Sequence, residues 1–166
     1  MEEREQGRMK NYETFGLEPR LSLEPADLER RFYRLSRKLH PDVAGSQSME
    51  AAANLNDAYR TLKDPVSRAE YFLGQRGIEI GEANLPPEML EEVFELNLAL
   101  EEGRVEEAAA SFAAMLAGID RELQQKFEIH DAAGDPAALE AIRALLNRRK
   151  YVRNLARQAE RETVEG

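Results

Sequence analysis

Leu28-Glu29-Arg30-Arg31-Phe32-Tyr33-Arg34-Leu35-Ser36-Arg37-Lys38-Leu39-His40-Pro41-Asp42 is the stretch whose reading decides the fold. Leu28, Phe32, Leu35 and Leu39 recur at spacings of 4, 3 and 4, one face of an α-helix and no face of a strand. The remaining surface carries Arg30, Arg31, Arg34, Arg37 and Lys38 against Asp27 and Glu29, a net of about +3. Glu24-Pro25 opens this helix, with proline in its favoured first turn. Pro41 disfavours helical backbone in its predecessor, so the helix ends by Leu39 or His40. Val43-Ala44-Gly45-Ser46 reads as a loop. A second helix then returns from about Ser48 to Leu62, with Ala51, Leu55, Ala58, Tyr59 and Leu62 inward. That antiparallel return places residues 40–47 at an exposed hairpin tip.

Working outward, Tyr12 to Leu17 is a short apolar helical turn closed by Gly16. Asp64-Pro65 caps a short helix from Val66 to Leu73, with Ala69, Phe72 and Leu73 inward. Gly74, Gly77, Gly81, Pro86 and Pro87 mark a domain boundary. Beyond it three longer helices are expected over about 87–102, 104–133 and 136–162. The middle one repeats Val105, Ala109, Phe112, Leu116, Ile119, Leu123 and Phe127 at a near-3.5 period, suited to long antiparallel packing. Asp135 is the N-cap and Pro136 the first residue of the last helix, which uses Leu139, Ile142, Leu146, Val152 and Leu155/Ala156. No alternating strand pattern exceeds four residues. The fold class is all-α: a small N-terminal helical hairpin domain over 10–76, a linker over 77–87, and a three-helix bundle over 88–163.

Composition narrows the function. The 166 residues are 42% hydrophobic, enough for a packed core, and include no Cys and two His. Disulfides, thiolate metal sites, a Cys nucleophile and a His-rich metal site are excluded. Neither His40 nor His130 follows a Glu by three positions, so a carboxylate di-metal bundle is excluded too, and no metal or cofactor is implied. The net charge of −9 argues against nucleic acid as a general partner. No apolar run reaches the roughly 20 residues of a membrane span. The N-terminus has neither the apolar core of a signal peptide nor the acid-poor character of a transit peptide, so a cytoplasmic setting is expected. An enzyme reading of His40 and Asp42 finds no pocket, no nucleophile and no phosphate loop beside them. A basic helix and an exposed turn bearing His40, Pro41 and Asp42 describe a docking tip instead.

Leu28-x-x-x-Phe32-x-x-Leu35-x-x-x-Leu39-His40-Pro41-Asp42, then Asn56 to Leu62, Asp64-Pro65 and Arg68-x-x-Tyr71, resemble the J domain of DnaJ-like co-chaperones over residues ~10–76. Leu39 stands where many J domains carry an aromatic, and Val43 where many carry Lys; neither touches the triad. The resemblance implies a partner rather than a substrate: a DnaK/HscA-type chaperone whose ATP hydrolysis is stimulated through His40, Pro41 and Asp42. Asp42 is a compact acceptor for an Arg on that partner, and Pro41 lowers the ordering cost of docking. The stripe of Arg30, Arg31, Arg34, Arg37 and Lys38 would steer toward an acidic surface.

The second domain has no Gly/Phe-rich linker and no Cys-x-x-Cys-x-Gly-x-Gly repeats. Arg68-Ala69-Glu70-Tyr71-Phe72-Leu73, the linker Gly and Met89-Leu90-Glu91-Glu92-Val93-Phe94-Glu95-Leu96-Asn97 resemble HscB, the J-type co-chaperone family of iron–sulfur cluster biogenesis. On helix 87–102, Met89, Val93, Leu96 and Leu100 share a core face. Leu90, Phe94 and Leu98 form a second stripe about 100° around the axis, which either packs on the third helix or stands exposed for a partner. The resemblance implies the second use: binding of the iron–sulfur cluster scaffold protein by Leu90, Phe94, Leu98 and Glu95, by Glu91 (a position where the family is often apolar), and by Tyr151 near the same patch. For Tyr151 a half-buried packing role stays open.

Residues 82–131 hold thirteen acidic and three basic side chains, a net of −10. One molecule thus offers a positive surface to a chaperone and a negative, partly apolar surface to a client. The competing reading is a J-domain co-chaperone with a different client, its bundle serving dimerisation or substrate holding.

Overall fold

The computed structural model describes residues 9–39, 47–81 and 87–165, all helices, turns and short connections with no strand among them. Among the described residues seven helices follow one another: α1 Lys10–Thr14, α2 Pro25–Lys38, α3 Gln47–Lys63, α4 Pro65–Gln75, α5 Pro87–Glu101, α6 Val105–Ala133 and α7 Pro136–Glu165. They divide into two compact units, Met1–Glu79 with His130–Gly134, and Ile80–Ile129 with Asp135–Gly166. The last turn of α6 therefore belongs with the N-terminal helices, which the sequence pattern did not foreshadow.

In the first unit α3 is the hub, packing on α1, α2 and α4. Pro25 occupies the first turn of α2, and the α2 C-cap, Leu39, donates its N–H to the carbonyls of Leu35 and Ser36. Leu28 is buried, and Phe32 stacks on Tyr59 of α3 with ring centroids 4.1 Å apart and planes 20° apart. A connection this short between two packed helices makes them antiparallel neighbours. Asp64 caps α4 by accepting from the backbone N–H of Ser67 at 2.9 Å. α4 continues through Gly74 and stops at Gln75, two residues beyond the Leu73 expected. The residue that ends it is Gly77, at φ +75°, where the Ile78 N–H reaches the Leu73 carbonyl at 2.9 Å.

A buried polar cluster ties this unit together. Arg68 is buried and donates Nε to the Leu21 carbonyl at 2.6 Å and Nη1 to the Leu62 carbonyl at 2.8 Å. Tyr12, fully buried, donates its hydroxyl to the Arg20 carbonyl. Asp131 accepts from the backbone N–H of Leu21 at 2.9 Å and of Ser22 at 2.8 Å. The rings of Phe72 and His130 meet edge to face at 5.4 Å. Every polar backbone group in the connection between α1 and α2 that these side chains reach is thereby satisfied.

The second unit is built from α5, α6 and α7. Met89, Val93 and Leu96 are buried on α5, Phe112, Ile119, Leu123 and Phe127 on α6, and Ile142, Leu146, Val152 and Leu155 on α7. The periodic expectation is met only in part: Ala108, not Ala109, is the buried alanine of α6, and Leu100, Val105 and Leu116 are half-buried. In the run Ala108-Ala109-Ala110 there is no contrast in side-chain size or polarity from which a register could be read. Asp135 caps α7 through the Ala137 N–H at 3.0 Å, as the Asp-Pro pair implies.

Candidate docking surfaces

On α2, Arg30, Arg34, Arg37 and Lys38 are exposed. Arg34, Arg37 and Lys38 have no ion-pair partner among the described residues, while Arg30 makes a loose pair with Asp27 at 3.6 Å. Arg31 is different. Its Nε donates to Asp27 at 3.0 Å and its Nη1 to the Phe15 carbonyl at 2.9 Å, so this half-buried side chain fastens the end of α1 to α2. The basic stripe presented to solvent is thus Arg30, Arg34, Arg37 and Lys38. Tyr33, 52% exposed, stands among them, edge-on to Phe32 at 5.6 Å. The cationic pattern alone does not single out Tyr33, although its 3- and 4-residue spacing from Arg30 and Arg37 puts it on that face. His40, Pro41 and Asp42 lie outside the described residues, in the segment that joins the last turn of α2 to the start of α3.

The second surface is on α5. Leu90, Phe94 and Leu98 are 54%, 68% and 40% exposed, while Met89, Val93 and Leu96 fill the bundle interior. The choice left open by the helical pattern is settled for these side chains: the second stripe faces solvent. Glu91 and Glu95 beside it are exposed, and Tyr151 on α7 is 38% exposed. Single exposed apolar residues are ordinary, but three at helical spacing on one helix form a patch. A groove of ≈ 340 Å³ between α5 and α6 is lined by Glu92, Glu95, Leu98, Arg104, Glu107 and Ser111, among others. Arg104 there pairs with Glu102 at 2.7 Å and Glu107 at 3.3 Å, and the Glu102 carboxylate raises the guanidinium's pKa. No cluster of three potential metal ligands occurs among the described residues, and no described helix is long and apolar enough to cross a membrane.

The two surfaces differ in character: charged side chains stand exposed on α2 and apolar ones on α5. Residues 10–71 match the DnaJ domain family, so the first unit carries a J domain. Its relatives narrow the class. The chain is 35% identical over 168 residues to the co-chaperone protein HscB homolog of Vibrio vulnificus (strain YJ016), a match covering 92% of this chain and 95% of that protein. It is 30% identical over 165 residues to the HscB homolog of Burkholderia multivorans, covering 91% and 94%. The solved structure of chaperone HscB from Vibrio cholerae superposes with a TM-score of 0.67 at 29% identity, covering 95% of this chain and 99% of that one. The crystal structure of the human co-chaperone HscB shares the fold, with a TM-score of 0.72 at 22% identity. The chain belongs to the HscB co-chaperone family.

Proposed function

We propose that this protein stimulates ATP hydrolysis by a DnaK/HscA-type chaperone and delivers to it the scaffold protein on which iron–sulfur clusters are assembled, acting in the cytoplasm and catalysing no reaction itself. The observation that carries the proposal is the pairing of two solvent-facing surfaces of opposite character. One is the cationic stripe of α2 in a J domain. The other is the Leu90/Phe94/Leu98 stripe on a helix whose core face is already filled.

The exposed cations of α2 raise the rate of encounter with an acidic surface of the chaperone, and their contribution weakens as salt rises. His40, Pro41 and Asp42 follow directly on that helix and supply the specific contact: Asp42 accepts from a cationic donor, and Pro41 restricts the chain beside it. On α5, Leu90, Phe94 and Leu98 bury apolar area against the client, with Glu91, Glu95 and Tyr151 at the margin. The iron–sulfur cluster is the client's cargo. These 166 residues contain no Cys and so offer no thiolate to hold it.

Asp42→Asn and His40→Gln should each abolish stimulation of the chaperone ATPase in steady-state assays while leaving thermal stability unchanged. Undiminished stimulation would overturn the role of the triad. In the same assay series, wild-type association with the chaperone should slow as NaCl rises from 50 to 500 mM; a salt-independent rate would remove the steering role of α2.

A further inference from the structure

Helix α7 holds a feature that neither docking surface uses. Residues 141–159 contain six basic side chains, Arg143, Arg148, Arg149, Lys150, Arg153 and Arg157, and no acidic one, in a chain of net charge −9. Some are accounted for internally. Arg149 pairs with Asp120 of α6 at 2.8 Å, Arg143 lies 3.8 Å from Glu140, and Arg148 is half-buried. Lys150, Arg153, Arg157 and Arg161 are exposed and have no ion-pair partner among the described residues. Their spacings of 3, 4 and 4 set them in one row along about 17 Å of helix. The buried Val152, Leu155 and Ala159 lie on the other side of α7, and Glu160 is the one acidic residue within the span.

The register of the bundle fixes where this row lies. The Arg149–Asp120 pair sets α7 against α6. Twelve residues back along α6 from Asp120 is Ala108, which lines a groove together with Leu98 of α5. Twelve residues on along α7 from Arg149 is Arg161. Arg161 is therefore level with Leu98. Because α5 and α7 run the same way, each antiparallel to α6, Arg157 is level with Phe94 and Arg153 with Leu90. Tyr151, next to Lys150, belongs to the same stretch. Glu91 and Glu95 flank the apolar stripe on α5, so the exposed surface at this level carries carboxylates on one helix and cations on the other.

We propose that the row Lys150–Arg153–Arg157–Arg161 is the second half of the client-docking surface and takes a carboxylate-bearing edge of the same folded protein whose apolar patch covers Leu90, Phe94 and Leu98. This rests on the client reading given above. Charge complementarity selects the occupant: a partner fitting the acidic α5 margin alone would be basic, but one spanning both helices has to be dipolar. Such a gradient fixes the direction in which the client lies across the helices and speeds its capture.

The test uses the full-length chain and purified iron–sulfur cluster scaffold protein, with association followed by biolayer interferometry at 50 and 500 mM NaCl. The triple variant Arg153→Glu/Arg157→Glu/Arg161→Glu should associate about tenfold more slowly than wild type at 50 mM NaCl, a modest electrostatic effect, and should lose the wild-type slowing with salt. Its stimulation of the chaperone ATPase without client should be unchanged. The triple Lys variant at the same positions, which keeps charge but not shape, should retain wild-type kinetics. Wild-type association by the Glu variant overturns the proposal. If Leu90→Ala/Phe94→Ala still weakens binding in that case, the client reading stands and only the basic row falls; if it does not, the client reading fails as well. Unchanged client kinetics together with loss of binding to single-stranded DNA, to phosphatidylglycerol vesicles or to a second copy of the chain would likewise overturn it, giving the row to that partner.

Discussion

Arg68 offers the sharpest test of how the J domain is held together. Its guanidinium is buried, bonds the carbonyls of Leu21 and Leu62, and has its pKa lowered by burial. It remains charged, as arginine does in proteins. Hydrogen bonds to charged groups contribute about 1.5–3 kcal/mol each, so the pair contributes about 3–6 kcal/mol before the cost of taking the cation out of water is subtracted. Replacing Arg68 by Met removes that cost and keeps much of the apolar stem, yet leaves two carbonyls without their donors. The balance is a loss of about 2–4 kcal/mol, within the range for breaking a buried hydrogen-bond network. Arg68→Lys should fall between wild type and Met, because one ammonium cannot reproduce the fork that spans both carbonyls. Urea unfolding followed by tyrosine emission is the assay, since Tyr12, Tyr33, Tyr59 and Tyr71 all lie in the first unit. With a slope of about 2 kcal/mol per molar urea, the midpoint for Met should drop by about 1–2 M. An unchanged midpoint would show that the two carbonyls find water or other donors, and would refute the reasoning.

Other outcomes can be stated more briefly. Burial raises the Tyr12 hydroxyl well above the ordinary tyrosine value, so above pH ~10 the unfolded chain sheds a proton that the native state keeps. Stability should then fall by about 1.4 kcal/mol per pH unit from this group alone, and the gap between wild type and Tyr12→Phe should narrow from pH 9 to 11; a constant gap in urea titrations would contradict it. Leu90→Ala/Phe94→Ala should leave the unfolding midpoint nearly unchanged because both side chains are exposed, while weakening scaffold binding by roughly 30- to 150-fold in calorimetry, from about 2–3 kcal/mol of lost apolar burial. Gly134 sits at φ +65° and Gly118 inside α6, so Gly134→Ala should destabilise by about 1–2 kcal/mol and Gly118→Ala should stabilise by about 0.5–1 kcal/mol in thermal melts.

The helices were legible because their signals are local. The 4-3-4 run of Leu28, Phe32, Leu35 and Leu39 and the prolines at 25, 65 and 136 fix element type and starting points, and the structure begins helices at those prolines. Ends were harder: Gly74 reads as a break, yet α4 runs through it, because the left-handed backbone needed for a stop occurs at Gly77. The basic and apolar stripes were legible as patterns, but whether Leu90 and Phe94 were covered depended on the path of α7, which no local spacing encodes. Arg68 reads as a surface residue in any composition-based view; its burial depends on one nearby carbonyl, Leu62, and one from a distant segment, Leu21. Arg31 shows the converse, a member of a cationic stripe whose side chain is partly taken up by the Phe15 carbonyl. The basic row on α7 was visible in the letters 141–161, but nothing in them revealed that Arg149 would be paired and Arg157 left open.

The bonds from Leu21 and Ser22 to Asp131 span 110 and 109 residues of chain. A ribosome adding 5–20 residues per second therefore finishes the partner for those two amides about 5–20 s after the amides themselves. During that interval α1 to α4 can form from local contacts, and Tyr12, Arg31 and Arg68 hold the segment between α1 and α2, but the Leu21 and Ser22 N–H groups are still bonded to water. Completion of the first unit is thus timed by synthesis of the far end of α6. A newly made chain therefore completes its first unit only after α5 and nearly all of α6 have been translated.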